Sequence, residues 1–529
     1  MSAITLDYAL SELPSSQHRA GLAGLVLMLQ WLSRQPGKRK GVAALTRLDA
    51  NGAAVTFDEK GIAELFDHVY AAAMGEVESN ALRKSKGKET VEPLRTEERE
   101  ITDKAGKVKT KTVYIYPQVV PRGAFLLELD PTRQGERGLW VKLWRDTVWT
   151  VLRGVPAQRA PYEARAEKTA TKDAAEAWKS LRKPDASDEL PSTYFIGAQA
   201  CNAENVQFRD VNRFLFLLHF WPFVASIYVP QVIGNDGKSS FEGRALAIPD
   251  IADLELFCEE YDEIMRERPV EVAAYLPRGA LVDVVEEVGL DLIRQLRGQL
   301  AKKAAKGRFV DIVFGVDVVH LSKDGNNVRL LASTRVEPGS LVDEYERVKG
   351  AFWDARFRQT RLRALVRGER WFSGFDRLFG TTDYELTFAR PHFRRDAREA
   401  FRMEAEMTES SDDVHNTGAP ASTEEIIYRV VGGYLIRKLN TKHQLTWEKA
   451  KDNPSLRADF ERYKERLAKD AFLAVRSRTG PDFIEYFTGT LCSVPQHIGE
   501  AGFLALTRAL MTETDTVRTL TLLALSARA

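Results

Sequence analysis

The chain has few cysteines, no long hydrophobic run and almost no net charge. Its 529 residues include three cysteines, which lie far apart and form no CxxC pair, so local spacing offers neither a disulfide framework nor a thiolate zinc site. The strongest apolar run, residues 21–32, is too short to span a bilayer, and acidic residues precede it where a signal peptide would be basic. We therefore expect a cytoplasmic protein without a membrane anchor.

The sequence also lacks the local motifs of common enzyme classes. It contains no HExxH, no GxxxxGK followed by Ser or Thr, no GxGxxG and no GxSxG. Three of the eight histidines, His18, His219 and His320, lie in apolar surroundings that favour structural roles. We therefore expect no catalytic site, metal or cofactor, and a binding or architectural role. Catalytic groups assembled from distant positions remain the alternative.

The composition is that of an ordinary globular protein. Lysine and arginine number 76 against 75 acidic residues, and 44% of the chain is apolar. Hydrophobic periodicity predicts an α+β chain, in which a mixed N-terminal body of β-hairpins and helices precedes an all-α C-terminal helical bundle. The predicted hairpins cover residues 42–57 and 309–336, and the main predicted helices cover 17–35, 61–73, 139–152, 251–267 and 280–305.

Three further segments determine the predicted organisation. Residues 83–111 are highly charged with almost no large apolar side chain, which indicates a mobile loop, and residues 214–233 are strongly apolar and β-prone. Residues 408–422 have the composition of a linker. We therefore predict a body over residues 1–402, a linker over 403–422 and a helical bundle over 423–529.

Positive charge is concentrated after the second predicted hairpin. Residues 349–402 contain thirteen basic and seven acidic side chains, a net charge of +6 in a chain that sums to +1. The arginines alternate with aromatic residues, and this combination suits phosphates and exposed bases, because guanidinium groups fork phosphate oxygens and planar groups stack on rings. The alternative is an amphipathic helix whose arginines pair with acids elsewhere.

Two stretches resemble a known family. Residues 6–25, LDYALSELPSSQHRAGLAGL, resemble the start of the large subunit of type I CRISPR surveillance complexes, specifically of the Myxan subtype, and YVPQVIG at 228–234 is similar to another family stretch. The resemblance implies a non-catalytic component of the Cascade effector, which inspects the protospacer-adjacent motif in duplex DNA and helps to open the strands. Base pairing with the guide then reads the rest of the target.

The resemblance also implies a set of partners, and loop chemistry suggests which residues read the DNA motif. The partners are guide RNA, target duplex DNA, the backbone and guide-capping subunits, small subunits, and a separate recruited helicase-nuclease. Reading a few base pairs requires a narrow protrusion with amide or basic tips, and the candidates at the predicted turns are Asn235, Lys238, Lys323, Asn326 and Asn327. Ordinary turn residues are the alternative for each of them.

Candidates for phosphate contacts rest on charge alone, since no family motif maps onto them. They are Lys38, Arg39, Lys40, Lys107, Lys109, Lys111, Arg356, Arg358, Arg361, Arg363, Arg367 and Arg370. Met403 and Met407 stand just before the linker, which suggests an internal translation start that would produce a small subunit from the same gene; chance placement is the alternative. Two other functions stay open: a structural scaffold of another nucleoprotein assembly, and a cryptic metal-dependent nuclease.

Overall fold

The chain forms two compact units. The computed structural model describes residues 3–84, 89–102, 108–132, 138–191, 194–196, 208–234, 236–303, 312–325, 327–411, 422–492 and 498–529. Unit 1 consists of Met1–Pro230 and Glu242–Pro338, and unit 2 consists of Gln231–Phe241 and Gly339–Ala529. This division differs from the predicted one, because the predicted boundary at residue 402 lies inside a helix of unit 2.

The described elements confirm the α+β class. The strands are β1 (Ile4–Ala9), β2 (Ala43–Asp49), β3 (Gly52–Phe57), β4 (Ala72–Ser79), β5 (Arg95–Thr102), β6 (Val108–Pro121), β7 (Ser187–Leu190), β8 (Phe208–Val211), β9 (Ser226–Ile233), β10 (Ser239–Phe241), β11 (Arg244–Ile251), β12 (Val272–Ala273), β13 (Leu276–Pro277), β14 (Leu281–Val282), β15 (Val313–Asp324) and β16 (Asn327–Val336). The helices of unit 1 are α1 (Ser16–Arg34), α2 (Glu59–Val69), α3 (Leu126–Leu129), α4 (Leu139–Thr150), α5 (Arg159–Glu167), α6 (Asp173–Leu181), α7 (Asn212–Leu217), α8 (Leu254–Arg266) and α9 (Glu287–Lys303). Those of unit 2 are α10 (Leu341–Ala351), α11 (Ala355–Val366), α12 (Phe375–Thr381), α13 (Pro391–Ser411), α14 (Thr423–His443), α15 (Trp447–Ala450), α16 (Pro454–Arg476), α17 (Gly480–Tyr486), α18 (Gly499–Thr512) and α19 (Thr514–Arg528).

Helix α1 lies at the centre of unit 1 and packs against β11, β2, α7 and α8. Thirteen of its residues are buried. The helix approaches the end of α7 and the residues that follow it very closely, because a Cβ added at Gly21 or Gly24 would lie 2.4 Å from the carbonyl oxygen of Leu217 or Phe220, respectively. Only glycine leaves room for that approach. The family-like opening of the sequence therefore contains packing residues of the core.

The main sheet has the order β10-β9-β11-β15-β16, with β14 paired to β9 in parallel. Strands β15 and β16 form the long hairpin that the sequence predicts, and β15 pairs with β11 from Arg244↔Leu321 to Ile251↔Val313. The hairpin turns after Asp324, where Gly325 has a φ of +61°. A turn of this kind requires positive φ, which glycine adopts without strain.

Residues 83–111 differ in part from the predicted loop. Strands β4, β6 and β5 form a three-stranded antiparallel sheet. On one face of it, Arg95 lies 2.6 Å from Glu76 and Arg99 lies 2.8 Å from Glu78. Cross-strand ion pairs and ladder hydrogen bonds thus order a sequence that has few apolar side chains. Composition alone does not reveal this pairing.

Residues 214–233 are only partly a strand. Residues up to Leu217 belong to α7, a 3-10 turn follows at Trp221–Phe223, and the strand begins at Ser226. Phe216 and Phe220 are four residues apart and their ring centroids are 5.2 Å apart, which is the contact a helical turn produces. The strand prediction for 214–225 is therefore wrong, because apolar content alone does not separate a buried helix from a buried strand.

Unit 2 is helical apart from the strand residues of Gln231–Phe241. Helix α19 is its most buried element and packs against α13, α14, α16, α17 and α18. Ser422 caps α14, its hydroxyl accepting a hydrogen bond from the Glu425 amide at 3.2 Å. Helix α13 extends to Ser411, so the first residues of the predicted linker are helical; residues 412–421 lie outside the described part.

Candidate nucleic-acid interface

The arginine-rich stretch 356–370 lies on α11 and after it, and two of its arginines are buried. Arg356 is 6% exposed and donates hydrogen bonds to the carbonyl oxygens of Gly234 (2.7 Å) and Leu386 (3.3 Å). All three residues belong to unit 2. Burial lowers the pKa of Arg356. Its guanidinium group ties the turn after β9 to the helices of this unit.

Arg361 is buried in the same way. It is 6% exposed, its guanidinium carbon is 5.4 Å from the Trp371 ring centroid, and its Nη2 is 3.4 Å from a Glu404 carboxylate oxygen. Burial lowers the pKa of Arg361 to about 10 and raises that of Glu404. These positions correct the phosphate-contact prediction for Arg356 and Arg361, because a phosphate cannot reach either group without opening the helix packing.

The other arginines of this stretch have different surroundings. Arg358 donates to the Phe352 carbonyl oxygen at 3.2 Å, and Arg370 lies 2.6 Å from Glu513. Arg363 and Arg367 are exposed. The stretch therefore does not form one continuous cationic surface, and the alternative reading of an amphipathic helix fits its buried half.

The predicted basic clusters at residues 38–40 and 107–111 also contain side chains with different surroundings. Lys38 and Lys40 are exposed, whereas Arg39 lies 3.6 Å from Glu64. In the three-stranded sheet, Lys111 is exposed and stands opposite Arg99 in the register. Lys107 and the side chain of Lys109 lie outside the described part.

Of the five predicted motif readers, three lie within the described part. Lys238 is exposed and its Nζ is 3.3 Å from Asp236. Lys323 and Asn327 are both exposed at the end of the β15–β16 hairpin, where Asn327 stands opposite Asp324. Asp324 itself pairs with Arg329 at 2.6 Å. Asn235 and Asn326 lie outside the described residues.

Lys323 borders a cationic cleft that the sequence does not reveal. The cleft has a volume of about 330 Å³ and lies between the end of α4, the start of α5 and the hairpin. It is lined by Arg153, Arg159 and Lys323 together with Trp149 and Gln158, and none of its described lining residues is acidic. We call this site the α4–α5 cleft.

Arg153 and Arg159 are close enough to affect one another. Burial lowers the pKa of Arg153, and the positive charge of Arg159 lowers it further. Arg159 also lies over the Trp149 ring, with its guanidinium carbon 5.1 Å from the centroid. An anion bound between these two cations would be attracted by both of them. The arrangement therefore favours a phosphate.

The start of helix α5 adds to this preference. Arg159 is the first residue of α5, and the side chain of the preceding Gln158 does not cap the helix. The amide groups at a helix start carry partial positive charge and bind anions.

A Ser-His-Asp contact occurs elsewhere in unit 1. His18 Nδ1 is 2.8 Å from the Ser15 hydroxyl and Nε2 is 2.8 Å from Asp210. The imidazole is 1% exposed and lies between the rings of Phe195 and Phe214. Because a substrate has no access to a histidine enclosed in this way, the contact joins the start of α1 to β8. The described residues contain no cluster of three potential metal ligands.

Comparison with known families decides which protein class this is. Residues 42–306 match the type I-B CRISPR Cas8b N-terminal domain, and residues 313–528 match the type I-B CRISPR Cas8b C-terminal domain. The chain belongs to the Cas8b family. It is therefore a type I CRISPR large subunit, as the opening residues suggest. No curated protein matches the chain.

The boundary between the Cas8b domains does not coincide with a boundary between compact units. Strand β15 begins at Val313, within the C-terminal match, yet it pairs along its length with β11 of the N-terminal match. Arg153 and Arg159 thus come from one Cas8b domain and Lys323 from the other, while all three belong to unit 1. Within the described ranges of this Cas8b chain, no helix is long and apolar enough to cross a membrane.

Proposed function

We propose that this Cas8b chain holds target duplex DNA through its phosphates at the α4–α5 cleft, inspects the protospacer-adjacent motif and helps to open the strands. The main support for this proposal is that Arg153, Arg159 and Lys323 line one open cleft. The described lining residues include no acidic side chain. Cations that replace the counterions of phosphates supply a sequence-independent and salt-sensitive part of binding. A phosphate site of this kind fixes the position of the protein on the duplex, and neighbouring groups recognise the base sequence.

The position of Lys323 connects the phosphate site to motif reading. Lys323 lies two residues before the turn of the β15–β16 hairpin, and Asn327 lies directly after the turn. A phosphate held by Lys323 would place the hairpin end beside the groove of the same duplex. An asparagine there has the amide donor and acceptor that recognise adenine in the major groove. We therefore assign Lys323 to the phosphate and Asn327 to base contacts.

The proposed assembly follows the family. The chain acts in the cytoplasm as a non-catalytic part of a Cascade complex with guide RNA, backbone subunits and guide-capping subunits. A separate recruited helicase-nuclease cuts the DNA. The Myxan subtype is supported by the opening residues 6–25.

We also propose that translation starting at Met403 or Met407 yields a small subunit. Such a product would retain α14–α19 and lose most of α13, including the buried Phe393 and Ala397. Mass spectrometry of the purified complex tests this, because the proposal requires a fragment beginning at one of the two methionines.

The experiment that tests the proposed function is a motif selection with the assembled complex. Duplexes randomised beside the target are bound, recovered and sequenced for the native chain and for Lys323→Gln and Asn327→Ala. We expect Lys323→Gln to weaken binding to all duplexes alike without changing their ranking, and Asn327→Ala to change the ranking. Lys142→Gln, at an exposed position of α4 outside the cleft lining, is the control. A Lys323 variant with native affinity, or with an altered ranking, would contradict the proposal.

A further inference from the structure

Unit 2 exposes a tryptophan in the loop between α10 and α11. Trp353 is 61% exposed, although seven of the nine tryptophans in the chain are buried or partly buried. Tryptophan carries a large apolar surface and is rarely left in water without a use. The aromatic residues near it in sequence, Phe352 and Phe357, are 2% and 0% exposed and belong to the core.

The loop that carries Trp353 is held firmly. The buried carboxylate of Asp396 accepts hydrogen bonds from the amides of Trp353 (2.7 Å) and Asp354 (2.6 Å). Asp354 in turn caps α11 by accepting from the amides of Arg356 and Phe357. The backbone of Trp353 is thus fixed by a carboxylate that is 0% exposed. A ring presented from a fixed backbone loses less conformational entropy when it binds a partner.

Cationic and aromatic groups surround the exposed ring. The guanidinium carbon of Arg395 lies 4.1 Å from the Trp353 ring centroid, and the His392 ring is 5.6 Å away. Arg390 is exposed nearby, 3.8 Å from Asp354. Asp354 and Asp396 are buried and bonded to backbone amides, and Asp396 also lies 2.7 Å from Arg395. The half-buried Glu399 is a further carboxylate near Arg395. The exposed side chains Trp353, His392 and Arg390 are aromatic or basic.

We propose that Trp353, with Arg395, His392 and Arg390, forms a stacking site for an unpaired base of single-stranded nucleic acid. The indole ring would stack on the base, and the arginines would contact the neighbouring phosphates. Basic neighbours favour an anionic strand over an apolar protein surface, because an apolar surface would remove Arg390 and Arg395 from water without offering them a phosphate. Stacking on one ring face requires a base that is not already stacked in a duplex, so the ligand is a single strand.

This site adds to the proposed function a group that receives a strand once the duplex is open. It rests on the proposal that the chain binds nucleic acid, but on none of the residues of the α4–α5 cleft. The two proposals therefore fail separately. The triple variant Arg153→Gln, Arg159→Gln, Lys323→Gln is expected to leave single-strand stacking at Trp353 intact.

The test uses the full-length chain and labelled oligonucleotides of about 12 nucleotides, oligo-dT and oligo-rU, a length within the usual site size for single-strand binding. We expect Trp353→Ala to raise Kd about tenfold, which corresponds to about 1.4 kcal/mol. Trp353→Phe should keep most of the affinity, because it keeps a stacking ring. Trp447→Ala, at the other exposed tryptophan, is the matched control and should bind as the native chain does.

Fluorescence gives a second measurement that does not depend on the stability of the alanine variant. Oligonucleotide binding should quench tryptophan emission of the native chain, and Trp353→Phe should lose that quenching while it still binds. An equal loss of affinity of Trp353→Ala for oligo-dT and oligo-rU supports stacking without a 2′-hydroxyl contact. A loss of affinity for only one oligonucleotide identifies whether DNA or RNA is the ligand. Native affinity of Trp353→Ala for both oligonucleotides, an equal loss in Trp447→Ala, or unchanged quenching in Trp353→Phe would overturn the proposal.

Discussion

Replacing Arg153, Arg159 and Lys323 together by glutamine removes the three positive charges of the α4–α5 cleft while keeping polar side chains of moderate length. If each cation replaces one counterion on B-form DNA, the slope of log K against log salt concentration should fall by about 0.9 for each, or about 2.7 in all. Between 50 mM and 200 mM salt the native chain should then lose about 40-fold more affinity than the variant does. The difference is largest in dilute buffer, where counterion release is most favourable.

The assay is fluorescence anisotropy with one labelled duplex at four or more salt concentrations. The matched control replaces Lys142, Lys179 and Arg278, three exposed cations of unit 1 outside the cleft lining, by glutamine. That control makes the same change in net charge but should leave the slope close to the native value. Thermal unfolding checks that the cleft variant keeps its fold, since Arg153 also donates to the carbonyl oxygens of Thr150 and Leu152. Equal slopes for the two triple variants would refute the cleft as a phosphate site.

Two further predictions concern buried ionisable groups. Arg361→Ala should destabilise unit 2 by about 3 kcal/mol in urea unfolding, because it removes a buried guanidinium group that packs near Trp371 and pairs with the half-buried Glu404. Arg367→Ala, at an exposed position, should change stability by less than about 0.5 kcal/mol, and similar values for both variants would contradict the structural role of Arg361. Burial lowers the pKa of His219 from 6.5 to about 3, so stability is complete above pH 6.5 and declines as the pH falls toward 3. At pH 5 the stability lost from this group relative to pH 8 is about 2 kcal/mol. His219→Gln should reduce the pH dependence of unfolding by that amount, and an unchanged dependence would show that burial does not lower the His219 pKa.

The sequence predicts those elements whose signals are local. The β15–β16 hairpin has valine- and leucine-containing strand sequences on both sides of a glycine turn, so its position and that of Lys323 follow from a short window. The first turn of α14 is equally local, since Ser422 caps it within three residues. Signals of this kind need no knowledge of the rest of the fold.

The rest depends on contacts between distant residues. Lys323 is separated from Arg153 and Arg159 in sequence by about the length of a small domain. No sequence pattern indicates that the hairpin reaches α4 and α5. Local charge density also fails at Arg361, because counting arginines does not show which of them face Glu404 and Trp371 inside a helix bundle. Trp353 is the opposite case, in which an aromatic residue of the same stretch is exposed. It alternates with arginines like its buried neighbours, and only the fold places it in solvent.

The family match and the positions of individual side chains give different information. The opening residues point to the family that the two domain matches establish. In the structure the same residues are packing groups, since Gly21 and Gly24 allow α1 to approach the chain after α7. The family assignment therefore does not by itself locate a binding site, and the α4–α5 cleft comes from geometry and charge.

The measurement that tests the central claim most directly is cryo-electron microscopy of the complete complex with guide RNA and a target duplex. We predict a nucleic-acid phosphate within hydrogen-bond distance of Lys323 Nζ and of the guanidinium group of Arg153 or Arg159. A cleft filled by a protein segment, or open to solvent while the duplex is bound elsewhere on the chain, would contradict it.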